Sequence, residues 1–140
     1  MSNSNKPTLT ATAEIFAPIA KVWELWTNPE DIKQWNNLSN DWHTTKAEND
    51  LRVGGKFFYA MGLKDGSFSF DFTGVYNEII PYQFISYTLN DGRRSTITFK
   101  DGNPVMLTEI FEPENTQPFD MQKEFCQSVL DTFKAYVERK

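Results

Sequence analysis

Apolar residues recur along this chain with two different periods, and the change from one to the other divides it into its elements. Thr8 to Phe16 alternates weakly and is rich in β-branched residues, which predicts a strand. Pro18 follows at a place where a first helical residue tolerates proline, and Ile19, Val22, Trp23 and Trp26 then fall at i, i+3, i+4 and i+7. Asn28-Pro29-Glu30-Asp31 ends that helix and starts another. Asn28 can cap it, Pro29 suits its first position, and the two acids suit the positive end of its dipole. Ile32 and Trp35 share a face of this second helix, so two short helices with a sharp bend are expected.

Asn36 to Asp41 is polar and reads as a loop, and from Trp42 the period falls to two. Phe68, Phe70 and Phe72 alternate with Ser69, Asp71 and Thr73; Ile85, Tyr87 and Leu89 form a second such set, and Ile97 and Phe99 a third. Each run presents one face inward and one to water. Gly54-Gly55, Asp65-Gly66, Asp91-Gly92 and Gly102 punctuate the runs where tight turns need positive φ, so consecutive hairpins build an antiparallel meander. After the connector Glu112 to Pro118 the helical period returns. Met121, Phe125, Val129, Phe133 and Tyr136 or Val137 define one face of a helix from about Asp120 to Glu138, roughly 28 Å long. The fold class is α+β: a curved antiparallel sheet closed around a long C-terminal helix, a shape that tends to enclose a cavity.

The 140 residues suit one domain, expected over 8–140, with residues 1–7 as a disordered lead-in. Aromatic residues make up 15% of the chain, more than a core of this size needs, which points some rings toward a pocket. A net charge of −5 argues against nucleic acid, because phosphate binding needs a basic face. The one cysteine, Cys126, has no internal disulfide partner, which fits a reducing compartment. No apolar run approaches the roughly 20 residues of a membrane span, and Met1 to Pro7 lacks a secretion signal's apolar stretch. A cytoplasmic location follows by elimination.

Two groups of polar residues invite a chemical reading. Asp41-Trp42-His43 holds the only histidine beside a carboxylate. Its bland reading is a strand start with local hydrogen bonds; its sharper ones are a pocket wall or a general base at His43. Glu109 lies two residues from both Leu107 and Phe111, so alternation turns it inward, where it would need Arg52, Arg93 or a ligand's polar group as partner. Asp71 falls opposite the phenylalanines and is expected in solvent. Cys126 reads as a buried, inert thiol. No metal-ligand spacing or cofactor motif is present, so neither a metal nor a cofactor is expected.

Several segments carry a family resemblance: Phe16-Ala17-Pro18 with Val22-Trp23, Trp26-Thr27-Asn28-Pro29, Trp35, and Asp41-Trp42-His43. Asp50 to Phe57, Phe72-Thr73-Gly74-Val75-Tyr76 with Glu78 and Pro81, and Leu130 to Lys134 continue it. Together they make the chain resemble the activator of heat-shock protein 90 ATPase homologues, within the START-like, birch-pollen-allergen-like helix-grip superfamily. The resemblance implies a seven-stranded sheet gripping the last helix, with a cavity beneath the two short helices. Relatives often carry Gly-Trp early in that helix, where this chain has Phe125-Cys126, so no relative's ligand is carried over.

With that fold in view, Trp23, Trp26, Trp35, Trp42 and His43 belong to the lid of the expected cavity. Phe57, Tyr59, Phe70, Phe72, Tyr87, Phe99 and Glu109 come from strands facing the last helix, which adds Phe125 and Val129. The first functional expectation is a monomeric, non-enzymatic domain binding an apolar or aromatic small molecule. The second is a chaperone-interaction module, and the third a cyclase- or hydrolase-like enzyme, which would need His43, Asp41 and Glu109 to converge.

Overall fold

The computed structural model describes residues 6–37 and 39–140. Most of the expected lead-in, and Leu38 in the loop before the meander, therefore lie outside the described residues. Strand β1 (Leu9–Ile15) turns Ala11, Ala13 and Ile15 into the core and its alternate residues outward. Helix α1 (Ile19–Thr27) starts after Pro18, whose φ of −63° and carbonyl serve the first turn. Helix α2 (Pro29–Trp35) follows at once, and Asn28 Oδ1 accepts a hydrogen bond from Glu30 N at 3.2 Å. Trp35 Nε1 donates back to Leu25 O at 2.9 Å, which fixes the bend between the two helices.

Six strands then run in sequence: β2 (Trp42–Asn49), β3 (Lys56–Leu63), β4 (Ser69–Ile80), β5 (Phe84–Leu89), β6 (Arg94–Lys100) and β7 (Val105–Phe111). The sheet order is β1-β7-β6-β5-β4-β3-β2, antiparallel throughout, so the meander is extended at one side by the N-terminal strand. Register shifts between Thr44 and Lys46 and between Tyr76 and Glu78 interrupt the ladders. Such bulges sharpen local twist and help curl the sheet. Helix α3 (Phe119–Arg139) lies across the concave face. It is tied to the edge strand by Gln127, whose side chain accepts from Thr12 N at 3.1 Å and donates to Thr12 O at 2.7 Å. That amide satisfies backbone groups an edge strand would otherwise leave open to a foreign strand.

Two expectations about faces need correction. The last helix does not bury one stripe along its whole length: Leu130, Phe133 and Val137 are fully buried, whereas Phe125 is 44% and Met121 36% exposed. Only the C-terminal half of α3 rests on packed core; the first half stands over open space. Phe68 does not join Phe70 and Phe72 on the inner face either. β4 begins at Ser69, which leaves Phe68 exposed in the preceding turn with its ring edge-on to Trp42.

Candidate functional site

The open space is a pocket of about 300 Å³ between the concave face of the sheet and the N-terminal half of α3. Its walls follow from strand alternation. β3 contributes Phe57, Tyr59 and Met61, and β4 contributes Phe70, Phe72 and Tyr76. β5 adds Ile85, Tyr87 and Leu89, while Ser95, Glu109 and Phe111 come from β6 and β7. Gly74, on the inner face of β4, is there because of its neighbour: a Cβ would lie 2.7 Å from the Phe57 ring. Phe57 can therefore lie against the sheet and meet Tyr59, Tyr76 and Tyr87 at ring-centroid distances of 5.2, 5.4 and 4.9 Å.

One end of the pocket is sealed by rings from three helices. Trp26 stacks on Trp35 at 4.7 Å, and Phe133 meets both edge-on at 5.0 and 4.8 Å. Asn36 lies beside them, buried, with its carbonyl accepting from Thr44 Oγ1. The other end opens past Phe125, Cys126 and Val129 of α3 to a polar rim. There Arg94 Nη2 pairs with Glu112 Oε2 at 3.0 Å, and Arg93 pairs with Asp91 at 2.8 Å. Gln122 holds the connector in place, accepting from Glu114 N and donating to Glu114 O, both at 2.8 Å.

Glu109 is the polar centre of the pocket. Tyr87 Oη donates to its Oε2 at 3.5 Å, and Ser95 Oγ reaches the same oxygen at 3.4 Å. The Ser95 proton is contested, since Ile110 O lies 3.3 Å away. Cys126 supplies a further, weak donor. Neither arginine named from the sequence is its partner, because Arg52 pairs with Asp50 and Arg93 with Asp91. Burial raises the Glu109 carboxyl above the usual glutamate range, and the three donors offset this only in part. Burial likewise pushes the Tyr76 hydroxyl up to about 12 and raises those of Tyr59 and Tyr87. The Cys126 thiol is raised by burial and by the facing Glu109, so it is no nucleophile near neutral pH.

This has a measurable consequence. A carboxyl whose pKa is higher folded than unfolded binds its proton more tightly in the fold. It weighs least against stability below the unfolded value and increasingly against it as pH rises through the folded one. Glu109→Gln, which keeps an acceptor for Tyr87 and Ser95, is expected to raise the melting temperature at neutral pH. The gain should shrink as pH falls below the ordinary glutamate range. Thermal denaturation of both proteins across pH checks this; a gain that grew toward acid would contradict it.

Of the residues singled out from the sequence, the pocket brings together Trp26, Trp35, Phe57, Tyr59, Phe70, Phe72, Tyr87, Glu109, Phe125 and Val129. Trp23, Trp42, His43 and Phe99 do not line it. Trp23 packs on Phe99 at 5.1 Å and Tyr82 at 5.7 Å, and Phe99 also meets the Trp26 ring edge-on at 6.0 Å. Trp42 meets Phe68 and Phe70 at the β2 end of the sheet, and His43 sits opposite Gly62 on that edge strand. Glu109 lines the pocket, whereas Asp41 and His43 are not among the residues of its wall. Asp71 is exposed, as strand alternation indicated. Among the described residues no three His, Cys, Asp or Glu side chains are grouped as metal ligands. Sequence reasoning left out Tyr76 and Ser95, although Tyr76 continues the alternation of Phe70 and Phe72 and Ser95 that of Ile97 and Phe99. Cys126, which the helical pattern marks as an inert thiol on the apolar side of the last helix, lines the pocket wall.

A curled seven-stranded antiparallel sheet, a long C-terminal helix and two short helices between the first two strands define a START-like, helix-grip protein. The family model for activator of Hsp90 ATPase homolog 1-like proteins matches residues 16–138, and the chain belongs to that family. The solution structure of Chr148 from Cytophaga hutchinsonii is similar at 42% identity and a TM-score of 0.80, with 97% of this chain and 94% of that one covered. An AHSA1-like protein from Aeromonas hydrophila is 36% identical at a TM-score of 0.89, covering 95% and 93%. Protein CV1439 from Chromobacterium violaceum, 23% identical over 94% of this chain and 98% of its own, shares the fold at a TM-score of 0.85. Among curated proteins none matches. No helix among the described residues is long and apolar enough to cross a membrane.

Proposed function

We propose that this protein binds a small apolar or aromatic molecule between its sheet and α3, without transforming it, as a monomer in the cytoplasm. The observation that carries this reading is the pocket of about 300 Å³ walled by stacked and edge-on rings with one carboxylate at its centre. Apolar burial would supply most of the affinity, and a few convergent polar groups the orientation. The volume lies at the bottom of the range of about 300–1,000 Å³ usual for ligand sites, which favours a compact ring system over a sterol or a long acyl chain enclosed whole.

An NMR titration of labelled protein against fatty acids, sterols, flavonoids and polyketide-like aromatics tests it. Compact aromatics are expected to give saturable shifts at Tyr59, Phe72, Tyr87 and Val129. Absence of shifts across the whole panel would overturn the reading. A chaperone-interaction module would then lead. Family membership and the apolar side chains of Phe119 and Met121, exposed on the first turn of α3, favour that second reading. Recovery of heat-shock protein 90 on immobilised protein would support it.

A further inference from the structure

The polar groups of the pocket are unequally compensated, and the imbalance bears on the ligand's head group. The two arginines at the rim already have opposite partners, Arg94 with Glu112 and Arg93 with Asp91, and the rim carboxylate Glu114 accepts from Thr116 Oγ1 at 2.7 Å. Glu109 has no opposite partner. The groups facing it are Tyr87 from β5, Ser95 from β6 and Cys126 from α3, with the Tyr59 ring across the pocket on β3. All are neutral, the two hydroxyl contacts are long, and one of them is shared with Ile110 O. A half-buried carboxylate without a cation is costly to keep ionised, and thiols are poor donors. The same pocket is lined by Phe57, Tyr59, Phe72 and Tyr87, whose ring faces carry the negative end of their quadrupoles.

We infer that the pocket is built for an aromatic or short aliphatic amine, its ammonium held by Glu109 among the rings of Tyr59, Phe72 and Tyr87 and its apolar part directed along the wall toward Trp26 and Trp35. The inference rests on the ligand-pocket reading above and adds the head group to it. The fold has already taken part of the water from the carboxylate, which lowers the desolvation that an incoming ammonium must add to its own. A charge-assisted hydrogen bond and cation–π contacts then oppose that cost. An alcohol of the same skeleton gains only a neutral hydrogen bond, and a carboxylic acid meets like charge. Ammonium binding also keeps Glu109 ionised. Where the free protein holds a proton there, binding must release it, and affinity must rise with pH through the elevated Glu109 titration.

Three probes on one skeleton test this: 1-naphthylmethylammonium, 1-naphthylmethanol and 1-naphthoate, each titrated by calorimetry in two buffers of different ionisation enthalpy. The ammonium is expected to bind roughly tenfold tighter than the alcohol, and the naphthoate weakest. Proton release should accompany the ammonium alone. Glu109→Gln is expected to bring the ammonium down to about the level of the alcohol, erasing the preference between the two head groups. Equal affinity for ammonium and alcohol, or tightest binding of naphthoate, would overturn the inference and leave the pocket reading standing. Failure of all three to bind would remove the pocket reading itself. The comparison of head groups on the unmodified protein decides the matter even if the variant proves unstable.

Discussion

Phe133→Ala is expected to cost about 3–5 kcal/mol of stability, lowering the melting temperature by roughly 10–20 °C. Phe133 is fully buried on α3, and its ring stands edge-on to both Trp26 of α1 and Trp35 of α2. No other residue of α3 has ring contacts with both short helices. Truncation therefore removes the shared partner of a stacked tryptophan pair and leaves a void that three helices cannot close by a simple shift. Part of the domain's marginal stability is local to this joint. The neighbouring link, Tyr136 Oη donating to the buried Asp31 with Lys140 Nζ 3.3 Å from the same carboxylate, ties α3 to α2 alone and cannot replace it. Chemical denaturation with the slope compared between the two proteins is the check. A loss below about 1 kcal/mol would mean that the helices hold the sheet by other contacts.

Local chemistry made much of this architecture legible. Asn28-Pro29 sets the break between α1 and α2 by a cap and a ring that need no tertiary help. The alternation of Leu107, Glu109 and Phe111 turns the Glu109 carboxylate inward, because a strand leaves no other direction for the middle residue. What stayed illegible depended on what α3 covers. Periodicity along the helix treats Met121, Phe125 and Phe133 alike, yet Phe133 meets core while Phe125 borders a space that exists only once the sheet has curled. Trp23 and Trp26 share a helix, an apolar stripe and a contact with Phe99, but three residues of rotation turn Trp26 to the pocket and Trp23 to Tyr82. The partners of Glu109 come from β5, β6 and α3, and their convergence is a product of sheet curvature that no window along the chain contains.

Cys126→Trp is expected to abolish ligand binding, reducing affinity by about 100-fold or more, without lowering the melting temperature. Cys126 lies in the pocket wall opposite Glu109, on the half of α3 with no fully buried residue. An indole there enters open volume instead of packed core, so it fills space a ligand would otherwise need and adds apolar contact with the rings beneath it. Filling a cavity in this way commonly stabilises a fold by about 0.5–2 kcal/mol. The opposite signs of the two effects separate a blocked pocket from a damaged protein.

The most direct test of a ligand pocket beneath α3 is therefore a paired NMR titration of the unmodified protein and Cys126→Trp with 1-naphthylmethanol and 1-naphthylmethylammonium. Saturable shifts at Tyr59, Phe72, Tyr87 and Val129 in the first protein, absent from the folded variant, are the predicted result. Equal shifts in both proteins, or shifts confined to the outer surface, would place the ligand elsewhere and contradict the account.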